Sequence, residues 1–463
     1  MTPPRHIAVI DIGKTNAKLA LVEAGSLREL AVVTRPNTVL PGPPWPHFDL
    51  EVHWEFFLHH LAAFHAAHGV DAISVTTHGA SAVLLDAQGG LAAPMLDYEH
   101  PGPDDLAQDY DAIRPPFAET GSARLPGGLN LGAQLFWLFR TQPGLRGRVA
   151  HVLTYPQYWG WRLTGELATD VTSLGCHTDL WNPWEGRFSP LVDRLGLAGR
   201  IAPARRPGEV LGGLRPEIAA MTGLSPRTPV SVGIHDSNAS LYAHVLAREG
   251  AFAVVSTGTW VVSMSVGGDR TDLDPTRDLL VNVNGLGQPV PSARFMGGRE
   301  YETIRAGSGL RPTPADRAAV LAGSVMILPA VEPGSGPFRG HAMRWTRPPA
   351  TEGQKLAALS LYLALMTDTC LRLIGARGPV IVEGPFAQND DYLDMLATLR
   401  PEGIEIAASA TGTSTGAALL ALTGAVAPAV TTLRPPPADR GAMLAYAEDW
   451  RARAAEGPGL SPR

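Results

Sequence analysis

The stretch His6-Ile-Ala-Val-Ile-Asp-Ile-Gly-Lys-Thr-Asn-Ala-Lys-Leu-Ala-Leu-Val-Glu23 decides the fold class. His6 to Ile12 is a continuous apolar run, rich in β-branched residues and too short for a helix. Gly13, Lys14, Thr15 and Asn16 are turn chemistry, and Ala17 to Glu23 reads as a second strand. Together they predict a β-hairpin with Asp11 at the end of its first strand. Such a tip suits an anion: glycine lets the backbone approach, successive N–H groups point at the ligand, and a hydroxyl such as that of Thr15 adds a donor. A strand-end carboxylate can hold Mg²⁺ through its waters, because that ion keeps most of its hydration shell. The plain alternative is a tight turn that binds nothing. A P-loop is excluded, since it needs a glycine where Ala8 stands and a helix where a strand follows.

The second half of the chain opens on a similar feature. Ala251 to Ser265 reads Ala-Phe-Ala-Val-Val-Ser-Thr-Gly-Thr-Trp-Val-Val-Ser-Met-Ser, a strand, a Ser-Thr-Gly-Thr tip and a strand. Two such hairpins predict two related α/β domains, 1–247 and 248–455. Tips facing each other across a cleft would clamp a nucleoside triphosphate, and closure would exclude water. Helical periodicity covers Val52 to His68, with Phe57, Leu61 and Phe64 on one face. Strands are predicted at Ala72–Thr77, Ala82–Leu85 and Pro229–Gly233, and helices at Ser237–Glu249, Leu361–Ile374 and Met443–Ala454. The proline-rich Glu99–Pro116 reads as an exposed loop and 456–463 as a disordered tail.

Composition narrows the function classes. The 463 residues are too many for one small core, and 45% hydrophobic with 18% charged residues argues for an ordered chain. The 50 Gly and 41 Pro follow no period, which suggests turns between short elements. A formal net charge of −6 lacks the basic footprint of a nucleic-acid binder. No apolar run reaches the ~18 residues of a membrane span; the longest candidate, Gly416 to Val430, is broken by Thr423 and Pro428. The N-terminus shows no signal-peptide apolar region. Cys176 and Cys370 cannot make a disulfide framework. A cytoplasmic protein is expected, with a small molecule as partner and at most a second copy of the chain, and with neither nucleic acid nor membrane. His53, His59, His60, His65 and His68 lack the i,i+4 spacing of a zinc helix, so they read as a solvated face.

Gly233-Ile-His-Asp-Ser-Asn238 places Asp236 at the end of a strand and the start of a helix, where it is either an N-cap or an acid exposed in a cleft. Phosphoryl transfer to an alcohol needs a carboxylate that takes the hydroxyl proton. His235 is either a donor to substrate or a strand-end residue.

Several motifs in order carry a resemblance. Asp11-Ile-Gly13, Leu163-Thr-Gly-Glu166 with Thr169-Asp170, Gly233-x-His-Asp236, Ser256-Thr-Gly-Thr259, Val382-Glu-Gly384 with Gln388-Asn389, and Gly416-Ala-Ala418 together resemble the FGGY family of carbohydrate kinases. Each motif is loose alone; the ordered set spans about residues 6 to 425 and is specific. The resemblance implies an actin-like ATPase fold of two ribonuclease-H-like domains, with ATP and Mg²⁺ in the cleft and a sugar beneath. It implies Asp236 as general base and Asp11 near Mg²⁺ through water. It also implies nucleotide contacts from Gly13, Lys14, Thr15, Asn16, Thr257, Gly258, Thr259, Gly384, Phe386, Gln388 and Asn389.

Two segments depart from the family pattern. Gly384-Pro-Phe-Ala-Gln-Asn389 stands where glycines are usual, so Pro385 and Phe386 bring side chains to the adenosine site, and Phe386 is a candidate to stack on the base. Thr77-His-Gly-Ala80 and Asp97-Tyr-Glu99 replace segments that commonly carry Trp or Gln, making His78, Gly79, Glu99, His235 and Asp236 the sugar contacts by position, with Asp97 in place of an aromatic. No Arg or Lys cluster marks the matched sugar-side segments, so a neutral substrate is expected. His235-Asp-Ser-Asn-Ala-Ser240 is similar to a segment of L-rhamnulose kinases, with L-fuculose kinases close by, which favours a 6-deoxy-ketohexose phosphorylated on a terminal hydroxyl. The alternatives are a pentulose, tetrulose or glycerol kinase, a non-catalytic sugar- or nucleotide-binding relative, and an actin-like ATPase without a sugar site.

Overall fold

The computed structural model describes residues 3–407, 412–422 and 431–456. The chain forms two compact units. Unit 1 comprises Met1–Arg248, Val281–Pro289 and Thr411–Pro428, and unit 2 the remainder. A single cut near Arg248 therefore leaves out two stretches of the second half that pack with the first. The residues from Gly457 onward lie outside the described residues.

Unit 1 is built on a sheet whose strands lie in the order Val210–Gly212, Val230–Ser231, Ala72–Thr77, His6–Ile12, Asn16–Glu23 and Glu29–Pro36. His6–Ile12 and Asn16–Glu23 form the antiparallel hairpin, with Asp11 opposite Lys18. His6–Ile12 runs parallel to Ala72–Thr77, pairing Ile12 with Thr77, and Ile234–His235 runs parallel to the same strand, pairing His235 with Thr77. Three strands thus end level with one another. The residues that follow them, Gly13, His78 and Asp236, emerge at one carboxyl edge, where open α/β sheets place ligands.

Both faces of this sheet are covered, which explains an unbroken apolar run instead of alternation. One face takes the helix Leu50–His68, capped by Asp49, with Trp54, Phe57, Leu61 and Phe64 buried. The other takes the helices Asp236–Ala247 and Thr413–Ala418, whose small residues Ala239, Ala417 and Ala418 pack with Ile7, Val9 and Val22. A Cβ on Gly416 would lie 1.8 Å from the Ala239 carbonyl oxygen, so these two helices meet backbone to backbone.

Three expectations need correction. Glu99–Pro116 is not simply an exposed loop: it holds a 3-10 turn at Gly102–Leu106 and a short helix at Ala107–Asp111. Tyr110 there is fully buried and donates its hydroxyl to Asp179 Oδ2 at 2.6 Å, a partner that local composition could not reveal. The histidines of Leu50–His68 are not all solvated, because His53 is only 2% exposed. The third concerns unit 2.

Unit 2 repeats the hairpin, Phe252–Thr257 with Val261–Val266, in a sheet that also contains Pro289–Phe295, Val380–Glu383, Ile404–Ala407 and Thr431–Arg434. Its core helix, Glu352–Leu373, is by length and composition apolar enough to cross a membrane, yet 83% of its most apolar window is buried within the fold. In the sequence it is not an unbroken apolar run, because Ser360, Thr367 and Asp368 interrupt it. Leu359, Leu361, Leu363 and Leu371 are fully buried, and truncating any one to Ala should cost about 2–5 kcal/mol. Cys176 and Cys370 are both free and buried.

Candidate active site

At the carboxyl edge of the unit 1 sheet, Gly13 N–H donates to the Asn16 carbonyl at 2.8 Å and closes the first tip. Asn37 holds the tip from below, its amide donating to the Gly13 carbonyl at 2.8 Å. The buried His53 in turn pairs with Asn37 Oδ1 at 2.8 Å, and burial lowers its pKa to about 4. Thr15 and Asn16 remain exposed. Asp11 is 8% exposed; its Oδ2 accepts from Thr413 at 2.9 Å and Ser414 at 3.0 Å and faces Lys18 Nζ at 3.2 Å. Thr413 and Ser414 belong to a segment that the sequence presents only as a small-residue helix start.

His78, His235 and Asp236 form the heart of the edge. His235, not Asp236, occupies the N-cap position of the helix Asp236–Ala247, and its side chain makes no cap hydrogen bond. Asp236 is the first helical residue, and its Oδ1 accepts the Ser237 N–H at 2.6 Å. His235 Nδ1 lies 3.3 Å from the Asn238 amide nitrogen, a donor, so Nε2 carries the proton and donates to Asp236 Oδ1 at 3.1 Å. His78 has the opposite tautomer: Nδ1 faces the Gly79 carbonyl at 3.0 Å, which leaves Nε2 a buried acceptor with no partner among the described residues. Gly79 is small for a reason, since a Cβ there would fall 2.8 Å from His235 Nε2.

Electrostatics separate these groups. Burial pushes Asp236 up to about 6, only partly opposed by His78 and the Ser237 amide. Burial also lowers His78 and His235 to about 4, so both imidazoles are neutral at pH 7. The side chain of Asp236 still keeps 29% of its surface open. A carboxylate that deprotonates near 6, accessible yet surrounded by protein, is poised for proton transfer.

The segment Leu163-Thr-Gly-Glu166 through Asp170 serves this cluster from behind. Gly165 ends the helix Tyr155–Thr164, and Asp170 caps the turn Val171–Leu174 through Thr172 and Ser173. The Thr172 hydroxyl, held by Asp170, accepts the His235 N–H at 3.0 Å. Asp170 thereby sets the backbone from which His235 and Asp236 project.

Lys14 turns away from the tip. Its ammonium binds Asp97, lies 3.2 Å from Glu99 Oε2 and sits 4.6 Å above the ring of Tyr98. The acid standing in place of an aromatic is therefore the partner of Lys14. Tyr98, which the sequence reading passed over, packs on His78 with ring centroids 5.3 Å apart. Its phenol is pushed up to about 12, first by burial and then by Glu99, Asp236 and Asp97.

Unit 2 carries a cavity of about 780 Å³ lined by Gly258, Thr259, Gly298, Tyr301, Gln388 and Asn389 among others, a size that suits a nucleotide. A Cβ on Gly298 would lie 2.1 Å from the Gly258 carbonyl oxygen, so the helix Gly297–Arg305 starts directly against the hairpin tip. The other residues named from sequence divide by what their side chains already do. The Thr257 hydroxyl donates to the Glu383 carbonyl at 2.5 Å and accepts the Phe386 N–H at 3.1 Å, bracing the loop. Gly384 adopts φ +82° with the Thr257 carbonyl pressed against it. Phe386 is 5% exposed, wedged between Tyr301 and Tyr392 at 5.7 and 5.3 Å, so little of its ring is open for stacking. Asn389 caps the helix Asp390–Leu399 and donates to Ser360, while Gln388 is exposed at the cavity.

Among the described residues no group of three or more His, Cys, Asp or Glu side chains forms a metal cage. Among the described residues the side-chain partners of Asp11 all meet Oδ2, and an Oδ1 left open there fits a water-mediated contact to Mg²⁺ held mainly by phosphates.

Comparison with known proteins accords with this geometry. The N-terminal domain of the FGGY family of carbohydrate kinases matches residues 6–243, and the carbohydrate kinase FGGY C-terminal domain matches residues 249–429. Curated relatives include L-fuculokinases of Salmonella typhi, 28% identical over 270 residues, and of Escherichia coli K12, 27% identical over 277. Each alignment covers 56% of this chain and 56% of the relative, so the chain spans about half the length of the curated relatives it matches. A crystal structure of a carbohydrate kinase from Novosphingobium aromaticivorans is 40% identical with a TM-score of 0.89, covering 96% of this chain and 100% of that one. A xylulose kinase structure from Rhodospirillum rubrum, 22% identical with a TM-score of 0.79 over 98% of this chain and 99% of that one, shares the fold. The chain belongs to the FGGY family of carbohydrate kinases and has the actin-like ATPase fold.

Proposed function

We propose that the protein phosphorylates a neutral ketose on a terminal hydroxyl at the expense of ATP, with a 6-deoxy-ketohexose such as L-rhamnulose or L-fuculose as substrate. The observation that carries this reading is the Asp236 carboxylate, raised to about 6 and bonded on one oxygen by His235. Its Oδ2 is left for a substrate hydroxyl. As the hydroxyl oxygen bonds to the γ-phosphorus of ATP, the bond from that phosphorus to the bridging oxygen breaks and ADP leaves with its electron pair; the hydroxyl proton passes to Oδ2, while the Nε2–H of His235 steadies Oδ1. His78 Nε2 accepts from a second sugar hydroxyl, satisfying a lone pair that is otherwise buried and unpaired. ATP and Mg²⁺, when bound, supply the phosphoryl group and the cation that offsets its charge; the residues that fit them are Asp11, Gly13, Thr15 and Asn16 in unit 1 and, on the unit 2 cavity, Gly258, Thr259 and Gln388.

Charge supports a neutral sugar. Lys14 and Lys18 are both paired with carboxylates, and Asp97, Glu99 and Asp236 leave the sugar side acidic. The L-fuculokinase relatives support the 6-deoxy-ketohexose. A panel of ketoses in an ADP-release assay tests the reading. The highest kcat/KM is expected for L-rhamnulose or L-fuculose. A preference of about tenfold or more for D-xylulose, a tetrulose or glycerol overturns the substrate, and ADP release with none of them overturns the whole reading.

A further inference from the structure

Unit 2 contains a second large cavity, about 860 Å³, that shares no lining residue with the first. Its floor is apolar, made by Phe338, Leu373, Trp450 and Ala454, with Phe338 edge-on to Trp450 at 5.8 Å. Its rim is cationic, with Arg277, Arg339, Arg372 and Arg451 converging from four different parts of the chain.

The nearby carboxylates do not cancel this charge. Asp368, 1% exposed, is shared by Arg372 at 2.7 Å, Arg400 at 2.9 Å and Arg451 at 3.0 Å. Asp278 accepts the Gly336 N–H at 2.8 Å and lies 3.7 Å from Arg294 and 3.9 Å from Arg339. Asp274, also on the cavity wall, accepts the Thr276 N–H and hydroxyl on Oδ1 and offsets one positive charge beside Arg277, so that these three carboxylates stand against the four rim arginines together with Arg294 and Arg400. Arg277 spends Nε on the Pro337 carbonyl at 3.0 Å, which fixes its guanidinium plane and leaves its two terminal nitrogens without a partner among the described residues. A concave apolar wall focuses such a field, and the fixed planar fork of arginine matches the oxygens of a phosphate.

We infer that this cavity is a binding site for a phosphorylated small molecule with an apolar or ring-shaped body, separate from the sugar and nucleotide sites. The phosphate engages Arg277 and Arg339, and the body rests on Phe338 and Trp450. None of these four residues has a part in the phosphoryl-transfer reading.

Isothermal titration of the full chain with phenyl phosphate tests this, with phenol and benzoate as comparison ligands. Phenyl phosphate should bind with a Kd below about 1 mM, benzoate about tenfold more weakly and phenol not measurably. The double variant R277Q/R339Q should weaken phenyl phosphate about tenfold or more while keeping its affinity for ADP. No heat of binding up to about 10 mM, equal affinity in wild type and double variant, or benzoate binding as tightly as phenyl phosphate overturns the proposal. Should the double variant fail to fold, Arg339→Gln alone, at a side chain 46% exposed, carries the test with an expected weakening of about threefold.

Discussion

The Asp11 carboxylate and the Thr413 hydroxyl, 402 positions apart in the chain, meet at 2.9 Å, with Ser414 joining at 3.0 Å. The acid at the end of the first strand is therefore aimed by the start of a helix from the far end of unit 1. Hydrogen bonds to a charged group contribute about 1.5–3 kcal/mol. Thr413→Val should lower the melting temperature and raise the Mg²⁺ concentration for half-maximal activity several-fold, with kcat at saturating Mg²⁺ nearly unchanged. An unaltered Mg²⁺ titration would separate Asp11 from the metal.

Asp236→Asn should reduce kcat by about 10²–10⁴ and leave thermal protection by ADP intact. Stability offers an independent readout. The folded pKa of Asp236, about 6, lies above its ordinary 3.8. Its contribution to stability is thus full below about pH 4 and is lost as pH rises through 6. At pH 8 the Asn variant should melt no lower than wild type, and normal turnover by that variant would falsify the general-base role.

The pH dependence of kcat/KM should show an acid limb with an apparent pKa near 6, activity rising as Asp236 deprotonates. His78 and His235, both held near 4 by burial, stay neutral throughout that range. A profile flat from pH 5 to 8 would leave the proton without its acceptor.

Lys14→Met discriminates between the tip as a phosphate grip and the side chain as a brace for the sugar loop. With its ammonium on Asp97 and Glu99, the variant should raise the sugar KM about tenfold and shift the nucleotide KM less than about twofold. The reverse split would return Lys14 to the phosphates.

Gly298→Ala places a methyl 2.1 Å from the Gly258 carbonyl oxygen. Backbone must move to admit it, so ADP affinity measured by calorimetry should fall about tenfold or more with the sugar KM largely kept. Full ADP affinity would mean that the tip and the helix Gly297–Arg305 act apart.

Much of the fold was legible because it is local. The apolar run His6–Ile12, the turn residues after it and the repeat at Phe252–Val266 depend on nearest neighbours, and Ala72–Thr77 was bounded correctly for the same reason. The histidine and tyrosine environments were not legible. His53 differs from His59 only in facing the sheet beside Asn37, and Tyr98 is an ordinary loop tyrosine until His78 packs on it.

From its sequence alone this chain declares two hairpins, an acid at the end of a strand, another at the start of a helix, and a family. Spacing carries these, because backbone conformation and turn chemistry are settled within a few residues. Tertiary structure alone decided that Lys14 serves Asp97, that Thr257 and Asn389 brace loops, and that Thr413 aims Asp11. A side chain's partner depends on which distant segment is packed beside it, and no local pattern encodes that.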